Sequence, residues 1–170
     1  MQAAPPSDEA LIGAAERLGT ALRQRGWRLA TAESCTGGLV GHAITAVPGA
    51  SDYYVGGVIS YSDRAKEVEL GVPHELIAEH GAVSPEVASA MASGVRRRFN
   101  VEVGVAVTGI AGPDGGTAGK PVGLVYVAAE RRGHPAVIER ELWPFDRDGN
   151  KRASAMLVLE LATLQASAES

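Results

Sequence analysis

The sequence is short of the residues that staple, anchor or span. It has one cysteine, Cys35, in 170 residues. No intramolecular disulfide can form, which points to a reducing compartment and an expected cytoplasmic location. No apolar run approaches the roughly 18 residues that a membrane-crossing helix needs, so no membrane partner is expected. The opening MQAAPPSDEA has neither a basic nor an apolar stretch and does not read as a secretory signal. Aromatic residues supply only 5% of the chain, which leaves the core to Ala, Val, Leu and Ile. Positive charge is also scarce. The net charge is −4, so no nucleic-acid partner is expected. The one basic cluster, Arg96-Arg97-Arg98, falls at the end of an expected helix, where cations offset the macrodipole. The four histidines, His42, His74, His80 and His134, are scattered without metal-ligand spacing. That disfavours a zinc hydrolase and a Ser-His-Asp triad alike; no metal and no cofactor are expected.

What is present is ordinary apolar content, 45%, and 21 glycines. A chain of this size buries about 70% of its unfolded surface and can hold a core without staples. Residues 1–6 read as a flexible arm and 7–168 as a single domain. Ser7 is set to cap a first helix whose Leu11, Ala14, Ala15, Leu18 and Leu22 recur at helical spacing. Strands are predicted over 27–32, 55–61, 101–107, 122–129 and 137–143, with the second of these, 55–61, expected to be central in the sheet. Helices are predicted over 39–47, 62–70, 73–80 and 148–166. Ser84-Pro85-Glu86 is a further helix start, with Ser as cap and Pro in the first turn. Strands alternating with helices give an α/β fold with helices on both faces of the sheet. The last two strands are close enough to form a hairpin, so the sheet should be mixed.

Two glycine-rich segments follow strands. The loop from Gly109 to Lys120 fails as a P-loop: Asp114 stands where glycine is required and Pro121 where Ser or Thr is required. Gly37-Gly38 with Gly41 is not a dinucleotide fingerprint. Either segment could hold a phosphate on backbone amides or serve only as a turn. A second constellation joins Ser34, Tyr61 and Lys66, each near a strand end or the helix after it. A serine hydroxyl needs a base to become a nucleophile, and a lysine can supply one once burial lowers its pKa. Spacing alone leaves open a surface lysine and a core tyrosine. Cys35, next to Ser34, is either a packing residue or a rival nucleophile.

Several motifs, in order along residues 8–165, resemble the CinA C-terminal domain family. They are Thr31-Ala32-Glu33-Ser34-Cys35-Thr36-Gly37-Gly38, Tyr61-Ser62 with Ala65-Lys66, His80-Gly81-Ala82-Val83-Ser84, Thr108-Gly109-Ile110-Ala111-Gly112-Pro113-Asp114-Gly115-Gly116, and Lys120-Pro121-Val122-Gly123. The resemblance implies a three-layer α/β/α sandwich on a mixed, mostly parallel sheet. For stand-alone members it implies a nicotinamide-nucleotide amidohydrolase, which converts nicotinamide mononucleotide to nicotinate mononucleotide and ammonia. It places the nucleophile on Ser34, the base on Lys66 and an assisting tyrosine on Tyr61, and it matches Thr108 to a substrate contact. A late family arginine falls on Arg147, although Trp143-Pro144-Phe145-Asp146-Arg147 lacks the usual glycine before the aspartate. On this reading Thr36, Gly37, Gly38, Gly109 and Gly112 also face substrate. Amides near Thr36 and Gly37 would receive the oxyanion, and a glycine-rich loop with Arg147 would take the phosphate. A homo-oligomer is expected. The alternatives are an amidohydrolase acting on another amide, and a nucleotide-binding module without turnover.

Overall fold

The computed structural model describes residues 4–169; part of the expected arm, residues 1–3, lies outside them. Helix α1 (Asp8–Arg25) begins at Ser7, whose side chain accepts from the Ala10 amide, and ends at Gly26 in a left-handed conformation. Strand β1 (Leu29–Glu33) is buried along its whole length. It leads through a tight turn to α2 (Leu39–Thr45), β2 (Tyr54–Ile59), α3 (Asp63–Leu70), α4 (His74–His80) and α5 (Pro85–Phe99). Then come β3 (Val103–Gly109), β4 (Leu124–Arg131), β5 (Val137–Leu142) and α6 (Arg147–Ser167).

The sheet order is β2-β1-β3-β4-β5. β1 pairs in parallel with β2 and with β3, while β3–β4 and β4–β5 are antiparallel. Pairings are thus evenly split, with β4 alone running against the rest. The expectation that 55–61 forms a central strand does not hold, because β2 is an edge. Its Val55 and Ile59 remain 46% and 58% exposed. Apolar, β-branched content marked it as a strand, but central position depends on both faces being covered. β3 holds the middle place, and β1, whose alanines and threonine look less strand-like, is interior beside it.

The two faces of the sheet differ. Leu29, Val103, Val105, Val107, Val125 and Val127 pack under α1, α2 and α6. Ala30, Ala32, Ala106 and Ala128 face the other way, under α3, α4 and α5. Small side chains let α5 lie close to the sheet. α3 in turn lies close to α5: a β-carbon added to Gly94 would stand 2.0 Å from the Leu70 carbonyl oxygen. That approach fixes the end of α3, and with it the inward face formed by Lys66 and Leu70 one turn apart.

The carboxyl ends of β1, β2 and β3 meet on one edge of the sheet. Ser34 extends the β1–β3 ladder through its N–H to Val107 O (3.0 Å), and Ser60 extends β1–β2 through its N–H to Glu33 O (2.8 Å). In open α/β sheets the crevice outside such strand ends is the usual ligand site.

Candidate active site

Ser34 is the first residue beyond β1, and only 7% of its surface is exposed. Lys66 comes from α3, where Ser62 caps the first turn by accepting from the Ala65 amide. The helix points Lys66 inward with 1% exposure. Its Nζ is 3.0 Å from Ser34 Oγ, 2.9 Å from Ser60 O and 3.3 Å from Tyr61 O. No carboxylate oxygen lies within ion-pair distance of it among the described residues. Burial therefore pushes the amine below the usual lysine range, with Asp63 and Cys35 pulling more weakly the other way. Nζ thus has three oxygens within hydrogen-bond reach; once the amine is neutral, its two N–H groups can serve the carbonyls of Ser60 and Tyr61 while its lone pair accepts from the Ser34 hydroxyl.

Cys35 is buried beside Ser34, and burial pushes its thiol up to about 12. It stays protonated at neutral pH and is a poor nucleophile there. Of the two adjacent candidates, only Ser34 touches a base.

Tyr61 stands elsewhere than a relay requires. Its phenol is not between Ser34 and Lys66; the side chain is 62% exposed and its hydroxyl accepts from Arg147 Nη2 at 3.1 Å. What Tyr61 gives Lys66 is a backbone carbonyl. Arg147 also donates through Nη1 to Gly112 O at 2.6 Å. The start of α6 is thereby tied to the 109–113 loop on one side and to the β2–α3 connection on the other. Asn150 adds a buried tether, donating to Ala111 O at 3.0 Å. Thr108 and Gly109, from β3, line a cavity together with Ser34 and Lys66. The Thr108 hydroxyl donates to Ala82 O at 2.8 Å, holding the α4–α5 connection against the strand.

The Thr36-Gly37-Gly38 turn differs from the expected ligand cradle, and the reason is Glu33, which the sequence did not single out. The residue is 3% exposed. Oε1 accepts from Thr36 Oγ1 (2.6 Å), Gly38 N–H (3.2 Å) and Val40 N–H (2.9 Å), and Oε2 accepts from Gly41 N–H (3.0 Å). The chain's own anion fills the start of α2. Gly37 and Gly38, at φ +60° and +106°, give the turn its left-handed backbone, and the Gly37 N–H donates to Ser34 O. The amides of Cys35 and Thr36 donate to no other residue among those described. Of the two residues, Cys35 borders the cavity that holds Ser34 and Lys66.

Two cavities meet here. The inner one, about 220 Å³, is bounded by Ser34, Tyr61, Lys66, Val83, Thr108 and Arg147. The outer one, about 700 Å³, is bounded by Pro113, Val122, Phe145, Asp146, Arg147 and Lys151. Ala111 and Arg147 border both. No group of three potential metal ligands occurs among the described residues, and no helix among them is long and apolar enough to cross a membrane.

Known proteins with this pattern are similar over most of the chain. Residues 12–165 match the CinA C-terminal domain. A CinA-like protein of Gemmatimonas aurantiaca is 53% identical over 78% of this chain and 31% of its own length. A CinA-like protein of Salinibacter ruber is 50% identical over 85% and 35%. The chain thus spans about a third of the length of the curated relatives it matches. Among solved structures, the competence/damage inducible protein CihA from Agrobacterium tumefaciens is 38% identical with a TM-score of 0.87, covering 94% of this chain and 96% of its own. A competence-damaged protein (CinA) superfamily protein from Escherichia coli is 30% identical with a TM-score of 0.88, covering 97% and 94%.

Proposed function

The chain belongs to the CinA C-terminal domain family, and from that premise we propose that it is a serine/lysine amidohydrolase that releases ammonia from nicotinamide mononucleotide. The observation that carries this reading is the buried contact of Lys66 Nζ with Ser34 Oγ at 3.0 Å. The substrate comes from the family resemblance, and an inner pocket sized for a flat carboxamide ring is compatible with it.

In the proposed reaction, neutral Lys66 takes the Ser34 proton as Oγ bonds to the carboxamide carbon. The developing oxyanion is met by the free amides of Cys35 and Thr36, preorganised by the turn that Glu33 holds. The Lys66 ammonium then returns its proton to the amide nitrogen, the C–N bond breaks and ammonia leaves. Water, deprotonated by the same amine, attacks the acyl-serine ester and frees the carboxylate and Ser34. Arg147, through Tyr61 and Gly112, keeps the pocket mouth in place.

The test is ammonia release from nicotinamide mononucleotide. Ser34→Ala and Lys66→Ala should each lower it by roughly 10⁴–10⁶-fold, the scale seen when a member of a catalytic triad is lost, with the circular dichroism spectrum retained. Lys66→Arg should be as inactive, since a guanidinium keeps its charge and cannot act as base. Near-normal release by Lys66→Ala at pH 7 would refute the proposal.

A further inference from the structure

Basic side chains gather at the end of the sheet away from Ser34. Arg131-Arg132-Gly133-His134 closes the β4–β5 hairpin, with the His134 N–H donating to Arg131 O at 3.0 Å. The Arg132 N–H donates to Glu102 O at 2.8 Å and ties the turn to the start of β3. A cavity of about 190 Å³ lies against the turn, bounded by Trp27, Glu102, Arg131, Arg132 and His134. Trp27 precedes β1 and Ser34 follows it, so the five residues of that strand separate this cavity from the candidate active site.

Charge here is unbalanced. Arg131 is 8% exposed, yet no carboxylate oxygen lies within ion-pair distance of it among the described residues. Glu130, its neighbour along β4, points to the opposite face and pairs with Arg96 at 2.6 Å. Glu102 is engaged: it accepts from the Arg28 N–H at 2.8 Å, and the Arg28 and Arg132 guanidiniums stand 3.5 and 3.9 Å from it. Arg131 is left with neutral acceptors. Nη1 donates to the carbonyls of Ala168 (3.2 Å) and Glu169 (3.3 Å), Nη2 faces the ring nitrogens of His134 (2.9 and 3.2 Å), and Nε is buried without a partner among the described residues.

Capping the end of α6 does not account for this arginine, because Arg25 already donates to Ala168 O at 2.6 Å. The Arg25 and Arg131 guanidiniums lie 4.9 and 5.9 Å from the centre of the Trp27 ring; the indole face attracts both but carries no net charge. A guanidinium taken out of water without a counter-ion is costly, more than a contact at a helix end returns. An anion is what the arrangement lacks.

We propose that the cavity at the β4–β5 turn is an anion site for a phosphate group, held by Arg131 and Arg132 with His134 as a third donor. Two guanidiniums and an imidazole offer N–H groups in more than one plane, which suits the tetrahedral oxygens of phosphate better than the two coplanar oxygens of a carboxylate. The bound phosphate supplies the counter-charge for Arg131. The site does not depend on the amidohydrolase reading.

The test is a titration of the whole 15N-labelled chain with inorganic phosphate, followed by NMR at the indole N–H of Trp27. Trp143, the only other tryptophan, lies beside Cys35 and reports separately on any phosphate held at the active-site end. The Trp27 signal should move along a saturable curve. Arg132→Ala and His134→Ala, both at exposed side chains, should each weaken binding at least fivefold with the fold retained, and Arg132→Lys should recover part of the loss. Arg131→Met should abolish saturation; if that variant does not fold, the two exposed variants decide. Repeating the titration with glycerol 3-phosphate separates the two sources of the group: tighter binding than inorganic phosphate supports a phosphate-monoester ligand, and weaker binding supports free phosphate. A Trp27 signal that does not move, that saturates equally in wild type, Arg132→Ala and His134→Ala, or that moves identically with chloride at matched ionic strength overturns the site.

Discussion

Two helices begin beside the candidate active site, and they treat the positive end of a helix in opposite ways. α2 closes its start with a buried carboxylate of its own, Glu33, which accepts from a hydroxyl and three amides. α6 caps itself with Asp146 at a single amide and then places Arg147 and Lys151 on the wall of a cavity. The first start is a rigid support for Ser34. The second leaves two cations on a cavity wall. A glycine-rich turn before a helix is therefore no guide to ligand binding until the partners of its amides are known.

Removing the support is the strongest way to break this contrast. Glu33→Ala leaves up to four donors without their acceptor in a buried turn. It should cost about 3 kcal/mol of stability, read by urea denaturation, and should collapse kcat by displacing Ser34. Glu33→Gln should lose less of both, because its amide oxygen can still accept while its NH2 opposes a donor. Equal stability and turnover in Glu33→Ala would mean that α2 does not need its internal anion. On α6, Lys151→Ala should change stability by no more than about 0.5 kcal/mol, as for a surface substitution. The smallest effect belongs to Cys35→Ala. Losing a buried thiol should cost roughly 1 kcal/mol, with kcat within about twofold of wild type. A large loss of kcat at unchanged stability would make the thiol a participant.

Much of the fold was legible because its signals are local. Ser7 and Ser84 each cap the helix expected of them, and helices do cover both faces of a mixed sheet. The rank of β2 in the sheet was not legible, because strand order follows from crossovers rather than from strand composition. At the site, Ser34 and Lys66 could be paired because β1 and β2 are parallel neighbours, so residues just past their ends converge. Lys66 also carried a signal of its own: it shares the inward face of α3 with Leu70, an unusual place for a charge. Glu33 and Lys151 were missed. An acidic residue ending a buried strand just before a Gly-Gly turn could have marked Glu33. The i, i+4 spacing of Lys151 from Arg147 could have marked the cationic face. The phenol of Tyr61 turned to Arg147, 86 positions away in sequence, and no local pattern reports such a contact.

The depressed Lys66 pKa also ties stability to pH. Between its folded value and the ordinary lysine value of the unfolded chain, the unfolded state binds more protons, so stability rises with pH across that window. Lys66→Met should lack that part of the slope in denaturation curves taken over the same pH range.

The central claim is that Lys66 is a neutral amine poised to accept the Ser34 proton. The most direct measurement follows the Lys66 side-chain nitrogen by NMR through a pH titration, beside the pH dependence of kcat/KM, which reports the free enzyme. The account predicts a Lys66 midpoint below the ordinary lysine range that coincides with the acid limb of kcat/KM and vanishes in Lys66→Met. A Lys66 resonance that titrates like an exposed lysine, while kcat/KM keeps its acid limb at lower pH, would contradict it.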